Sequence, residues 1–380
     1  MTERPPLGLY IHWPFCVSKC PYCDFNSHVR DEVDHAAWRE TLLADLRHEA
    51  ALTPGHELTS IFFGGGTPSL MPPATVAALI DAATGYWPVA DDLEITLEAN
   101  PSSVEAGRFA DLAKAGVNRL SLGLQSLDDD ALRFLGRAHG VAEGLAALDV
   151  AQGQFDRVTF DLIYALPDQD LAAWEAMLHR ALGFGTTHLS LYQLTIEPGT
   201  RFATMVQQGG LLPKDADEAA DFFELTQAMT ADAGLPMYEV SNHAAKGQES
   251  RHNLVYWRYQ DYAGIGPGAH GRRGGMATMR HKKPENWMAA LARNEHGCQE
   301  ETVLSLRDRA AERLLMGLRL VEGLAIPDWQ AAYIDWDRVD RLVIQGLMTR
   351  QGNHIAASAN GMLLLNALID ACFKGDDDGR

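Results

Sequence analysis

Short apolar stretches alternate with longer amphipathic ones through the first half of the chain, and this alternation limits the fold more than any other feature. The pattern predicts strands at Gly8–Trp13, Ser60–Gly64, Leu93–Glu98, Arg119–Leu124, Arg157–Ile163 and His188–Leu194. Apolar residues at helical spacing predict helices between them, at Asp34–Ala51, Pro73–Trp87, Val104–Ala115, Ala142–Ala151 and Ala172–Gly183. Repeated βα units imply a parallel sheet with right-handed crossovers. Six such strands predict an α/β fold built on a partial (β/α)6 barrel rather than eight closed units.

The periodicity changes after Gly234. Residues 236–285 are rich in Gly, His, Tyr and Arg, with loop-like runs such as GIGPGAHGRRGG. From Ser305 the pattern predicts helices at Leu306–Leu320 and Trp336–Gln345, then a hairpin-like piece, Met348–Ile355 and Gly361–Leu364. That order suits a smaller, mainly helical, winged-helix-like domain. The expected division is a core over 1–240, a connecting segment over 241–300, a C-terminal domain over 301–374 and a disordered tail over 375–380.

Composition narrows the function. A chain of 380 residues that is 46% hydrophobic supports a sizeable core. Its formal charge of −19 argues against binding nucleic acid, which requires a basic face. The opening MTERPPLGLYIHW lacks the basic and apolar regions of a secretory signal, and no apolar run is long enough to span a bilayer. The cytoplasm is the expected compartment.

Three of the five cysteines, Cys16, Cys20 and Cys23, crowd into eight residues directly after the first predicted strand. A disulfide scaffold would spread its cysteines along a short secreted chain. Thiolates suit zinc or iron–sulfur clusters. Structural zinc takes four protein ligands, so a zinc site would need His12 or His28 to complete it. Three thiolates on a [4Fe–4S] cubane leave one iron without a protein ligand. That open iron can chelate the amino and carboxylate groups of S-adenosylmethionine, and the cofactors then supply the radical chemistry. This C-x3-C-x2-C spacing, with an aromatic before the last cysteine, resembles the radical SAM motif.

Ligands in βα sheets collect at the carboxyl ends of the strands. There the sequence offers Gly64-Gly65-Gly66-Thr67-Pro68, Glu98-Ala-Asn-Pro, Gln125-Ser and Asp161-Leu-Ile, with Arg137 beyond the fourth strand. Glycines let backbone approach a ligand or simply make a tight turn. Carboxylates accept from ribose hydroxyls, and arginine pairs with a carboxylate, although each also serves as a helix cap or surface ion pair.

Together YIHWPFC, GGGTPSL, EANP, SLGLQS, LGRAH and FDLIYALP resemble the coproporphyrinogen oxidase (HemN-like) branch of radical SAM proteins, over essentially the whole chain. The resemblance implies S-adenosylmethionine near Tyr10, Gly65, Gly66, Thr67, Glu98, Gln125, Arg137 and Asp161, with Tyr22 near the adenine. Members with a second S-adenosylmethionine site leave open how these residues divide.

That branch holds oxygen-independent coproporphyrinogen III dehydrogenases and HemW-type haem chaperones. Two features favour the chaperones. The first strand is expected within ten residues of the start, without the N-terminal extension of the dehydrogenases. The run Arg251-His252-Asn253-Leu-Val-Tyr256-Trp257 is similar to the HNxxYW motif of HemW proteins. His252 is thereby the candidate haem ligand, with Tyr and Trp as flat apolar surface, and His270 and His243 are weaker candidates. Read without the family, His252 is an ordinary loop histidine. The resemblance further implies haem as cargo, haem-requiring enzymes of respiration or haem storage proteins as recipients, an electron donor, and haem-promoted dimerisation. The enzyme alternative is radical decarboxylation of coproporphyrinogen propionates.

Overall fold

The computed structural model describes residues 4–30 and 32–375. The expected disordered tail, 375–380, therefore lies outside the described residues except for Gly375.

The predicted strands all form: β1 (Pro6–Trp13), β2 (Glu57–Gly65), β3 (Val89–Ala99), β4 (Arg119–Gln125), β5 (Arg157–Tyr164) and β6 (His188–Gln193). They pair in that order and in parallel, as βα crossovers require. Helices α1 (His35–Leu52), α2 (Pro73–Tyr86), α3 (Val141–Gln154) and α4 (Leu171–Leu182) return the chain over one face. Leu7, Leu9, Ile11, Ile61, Phe63, Leu97, Leu120, Leu122 and Leu162 are buried beneath the helical layer. The segment expected as a single helix from Val104 to Ala115 is instead two short ones, Ser103–Ala106 and Phe109–Lys114.

Alternate residues face the other way. Tyr10 pairs with Phe62 and His12 with Gly64 across β1 and β2, while Asp161 meets Ser190 across β5 and β6. A sheet covered on both faces by apolar layers reads as nearly continuous hydrophobic runs. Here the face opposite those helices carries Glu94, Thr96, Glu98, Thr159, Asp161 and Ser190, which make it a polar chamber.

The strongest departure from expectation lies between residues 237 and 303. After helix α5 (Ala216–Asp232) comes strand β7 (Met237–Glu239), which pairs antiparallel with β8 (Asn242–Ala244), and β8 in turn pairs antiparallel with β6. Helix α6 (Arg251–Trp257) follows, and β9 (Asp261–Ile265) joins the far side of β1 in parallel. The run GIGPGAHGRRGG, which reads as loop, supplies the end of β9, a turn and β10 (His270–Arg273). From there β11 (Met276–Arg280), helix α7 (Pro284–Asn294) and β12 (Cys298–Val303) complete a 12-stranded sheet of order β12-β11-β10-β9-β1-β2-β3-β4-β5-β6-β8-β7. A buried charged network fastens this extension to α1. Asp45 accepts from Gly266 N (3.1 Å), Trp287 Nε1 (3.1 Å) and Gly297 N (3.3 Å), while Arg280 reaches Glu49 at 2.6 Å.

The C-terminal part has helices α8 (Leu306–Gly317), α9 (Trp336–Ile344) and α10 (Leu365–Cys372) around a sheet of β13 (Leu324–Ala325), β14 (Met348–Gln351) and β15 (His354–Ala357), in the order β13-β15-β14. Its own core gathers Leu314, Leu318, Ile326, Ile334, Val339, Ile355 and Leu368. This is the winged-helix-like arrangement, with one correction. The hairpin is made by β14 and β15 alone, and residues 361–364 follow as the end of a short helix and a turn.

Candidate functional site

β1 ends at Trp13, and the three cysteines occupy the loop immediately beyond it. A short parallel clip, Phe15 with His28 and Cys16 with Val29, pins both ends of that loop. Cys16, Cys20 and Cys23 are free and half-buried. Burial pushes the Cys16 and Cys23 thiols up, and neighbouring cysteines push in the same direction, as expected for sulfurs gathered at one place. Asn26 moors the loop to the sheet extension, its Nδ2 lying 2.9 Å from both Pro267 O and Lys282 O.

His12 is spent in the same mooring. Its Nε2 lies 2.9 Å from Asn26 O and its Nδ1 2.9 Å from Tyr10 Oη, and burial lowers its pKa to about 4. His28 Nε2 is 3.3 Å from Asn26 Oδ1. The zinc alternative needed one of these rings as a fourth ligand, and both make other contacts. Among the described residues no three His, Cys, Asp or Glu side chains are grouped around a single-ion site.

The glycine run at the end of β2 has a packing cause. Gly65 has φ +116°, and a β-carbon there would lie 2.6 Å from the His12 ring; one on Gly66 would lie 2.7 Å from Phe15 O. Close approach of the chain leaving β1 therefore excludes side chains at these positions. The freed Gly65 amide donates to Glu98 Oε2 at 3.2 Å.

Glu98 and Asp161 form an acidic pair within the chamber. Burial, reinforced by the Asp161 charge, pushes the Glu98 carboxyl up to about 8. Burial also lifts Asp161 to about 6 against hydrogen bonds from Ser190 and Gln125 and the charge of Arg137. Gln125 holds φ +68° where β4 shifts register against β5, an irregularity that aims its amide at Asp161. Strain of this kind collects at functional positions.

Arg137 bridges these groups to the cysteines. Its Nη1 is 3.5 Å from Cys20 Sγ, while Nη2 donates to Asn100 Oδ1 (2.6 Å) and Gly123 O (3.0 Å). Thr67 donates to Cys16 Sγ at 3.5 Å. Tyr22 lies beside Arg137 with its ring 6.4 Å from that of Phe202, and burial raises its hydroxyl pKa. The structure thus brings together Tyr22, Gly65, Gly66, Thr67, Glu98, Gln125, Arg137 and Asp161 around the cysteine loop, with Tyr10 one layer deeper. Sequence patterns missed Asn26, Ser27 and Asn100. Of these, Asn100 was within reach, since strand alternation puts it on the side of Glu98.

His252 lies elsewhere, at the amino end of the chamber. Ser250 caps α6 and donates to Glu94 Oε1 (3.3 Å), the backbone N of His252 donates to the same oxygen (3.2 Å), and Glu94 pairs with Arg119 at 3.1 Å. The imidazole is buried, with Nδ1 2.8 Å from Ser60 Oγ and Nε2 2.7 Å from Tyr256 Oη. Burial drives its pKa down to about 3, and Phe62 stacks on it at 4.9 Å. His243 is also buried, whereas His270 is exposed. A cavity of about 550 Å³ opens between α4 and the loops after β4 and β5, and no candidate residue lines it.

A sheet of this topology with a cysteine triplet after its first strand defines a radical SAM protein. Comparison agrees: residues 10–181 match the Radical SAM superfamily and residues 304–364 the HemN C-terminal domain. The chain is 39% identical to "Heme chaperone HemW" of Escherichia coli, over 97% of this chain and 99% of that protein. It is 40% identical to the mitochondrial "Radical S-adenosyl methionine domain-containing protein 1" of Bos taurus, over 95% of this chain and 86% of that one. The solved structure of coproporphyrinogen III oxidase (HemN) from Escherichia coli superposes with a TM-score of 0.79 at 22% identity, covering 97% of this chain and 90% of that one. This protein belongs to the radical SAM superfamily and, within its HemN-like branch, to the HemW-type family.

The residues present fit the family's iron–sulfur cluster. A cubane bridges its thiolates through several irons, so they need not converge on one point. The buried Ser27 hydroxyl approaches Cys16 and Cys23 without completing a hydrogen bond, and Arg137 Nε is buried without a partner. Such orphans are rare in folded proteins and suit sulfide, thiolate or carboxylate acceptors.

Proposed function

We propose that this chain is a haem chaperone that carries a [4Fe–4S] cluster on Cys16, Cys20 and Cys23, holds S-adenosylmethionine beside it, and delivers haem to haem-requiring proteins. The observation that carries the proposal is the likeness to a protein named as a haem chaperone, which runs over nearly the whole of both chains.

When bound, the cluster supplies the electron that S-adenosylmethionine chemistry requires. The remaining roles fall to side chains. Arg137 pairs with the methionine carboxylate, and Gly65 and Gly66 bring backbone to the amino group, with Thr67 alongside. Glu98, Gln125 and Asp161 accept from the amino group and ribose hydroxyls, Tyr22 packs on the adenine, and Tyr10 supports this layer from below. Recipients are respiratory haem enzymes or haem storage proteins, an electron donor reduces the cluster, haem promotes dimerisation, and the setting is the cytoplasm. Among the described residues no helix is long and apolar enough to cross a membrane.

His252 remains the candidate haem ligand by family resemblance. Both its ring nitrogens have partners, so ligation there requires α6 to open and Ser60 and Tyr256 to be exchanged for iron. The test uses one anaerobically reconstituted sample, titrated with haem and then mixed with an apo-haem protein. A Soret band that moves to the acceptor is expected, as is no protoporphyrinogen on incubation with coproporphyrinogen III. Absence of haem binding, or formation of protoporphyrinogen, contradicts the proposal. An unchanged haem spectrum and affinity in His252→Ala removes that residue from it.

A further inference from the structure

Thr67, Asn100 and Arg137 come from regions beyond three different strands, yet they form an unbroken hydrogen-bonded chain between two of the cysteines. Asn100 Nδ2 donates to Thr67 Oγ1 at 3.1 Å, and Thr67 Oγ1 stands 3.5 Å from Cys16 Sγ. In the other direction, Arg137 Nη2 donates to Asn100 Oδ1 at 2.6 Å, and Nη1 stands 3.5 Å from Cys20 Sγ.

The donor and acceptor inventory fixes the direction of every bond. A guanidinium can only donate, so Asn100 must present its oxygen to Arg137 and its NH2 to Thr67. The Thr67 oxygen is then an acceptor, which leaves its single proton for Cys16. Both ends of the chain therefore aim a proton at sulfur. Each member is held from outside as well. Thr67 N donates to Phe15 O (2.8 Å), Asn100 N to Glu105 Oε2 (2.8 Å), and Arg137 Nη2 to Gly123 O (3.0 Å).

Hydrogen bonds to cysteine sulfur draw charge from an iron–sulfur cluster and favour its reduced form. Groups one step out orient those that touch the metal site. We propose that Thr67, Asn100 and Arg137 are a bridge that raises the reduction potential of the cluster, with Asn100 as its positioning residue. The inference rests on the cluster being carried by these cysteines.

Asn100→Asp keeps the shape and reverses one bond, but its added negative charge lowers the potential by itself, so the neutral substitutions Asn100→Ala and Thr67→Val carry the test. A carboxylate still accepts from Arg137 but cannot donate to Thr67, whose proton then turns away from Cys16. Asn100→Ala and Thr67→Val remove the bridge in other ways. Each variant is reconstituted anaerobically, assayed for iron and sulfide, and titrated with dithionite and redox dyes while electron paramagnetic resonance follows the reduced cluster. S-adenosylmethionine is left out, because Arg137 is also the candidate for its carboxylate.

The expected result is a full cluster in each variant with a more negative midpoint potential. The Asn100→Ala/Thr67→Val pair should shift by less than the sum of the single shifts, since both interrupt one chain. Full clusters at the wild-type potential would overturn the bridge while leaving the cluster intact. A folded variant that loads no iron would overturn it too, by assigning Asn100 to assembly. A wild-type chain without a cluster would instead sink the underlying function.

Discussion

At the scale of single residues, the chamber is a place where negative charge is held unwillingly. Glu98 takes its proton more tightly in the folded chain, at about 8 against an ordinary 4.5, because of burial first and Asp161 second. The folded state therefore binds more protons than the unfolded one across that interval, and stability of the empty chain falls as pH rises through it. Glu98→Gln should flatten this fall, measured as urea midpoint against pH; an identical slope would contradict the assignment. A sulfonium and an ammonium group reverse the preference by favouring the ionised pair. S-adenosylmethionine affinity is thus expected to rise between about pH 6 and about pH 8, with proton release in calorimetry, and to lose that dependence in Glu98→Gln. That the three cysteines gather in one loop was legible in the sequence because their spacing is local. The glycine run was legible as a special backbone but not in its cause, since His12 presses on it from the neighbouring strand and Phe15 from the segment just beyond that strand. Asn100 could be placed beside Glu98 by alternation but its role could not be read, because its partners lie 33 and 37 residues away.

Among the elements, the parallel strands could be placed from the sequence to within a few residues because hydrophobic alternation is strong in buried strands. The extension from β9 to β12 could not. β12 buries one residue of six, so CQEETV has no apolar face to announce it. Helix α6 was read as loop for a related reason. It is seven residues long, and its stability comes from Glu94, which lies 158 positions before His252. Removing one partner of a buried ion pair costs about 3–5 kcal/mol. Glu94→Ala strands the Arg119 guanidinium and the α6 cap together, so a loss of that size is expected in urea unfolding. A loss below about 1 kcal/mol, the level of an exposed pair, would mean that Glu94 does not hold the chamber floor.

Across the whole molecule, the two cores meet where the HNxxYW segment ends. Val321 N donates to Tyr238 O (3.0 Å), Arg258 reaches Glu322 (2.8 Å), Tyr259 donates to Glu312 (2.7 Å), and Arg272, whose guanidinium lies 3.7 Å above the Tyr259 ring and braces it, stands 3.9 Å from the same Glu312. The C-terminal part was legible as a separate helical unit, yet nothing local marks these contacts, which couple it to α6. A desolvated cation–π contact is worth about 2 kcal/mol. Arg272→Ala is therefore expected to lower the thermal midpoint and split calorimetric unfolding into two transitions; one unshifted transition would contradict this coupling. Above all, the proposed function rests on a cluster with one iron left for S-adenosylmethionine. The most direct measurement is electron paramagnetic resonance of the anaerobically reconstituted, reduced chain before and after S-adenosylmethionine is added. A [4Fe–4S] signal whose g-values shift on addition, and which is lost when Cys16, Cys20 and Cys23 are all alanine, is the expected result. A signal indifferent to S-adenosylmethionine, or one that persists without those cysteines, would contradict it.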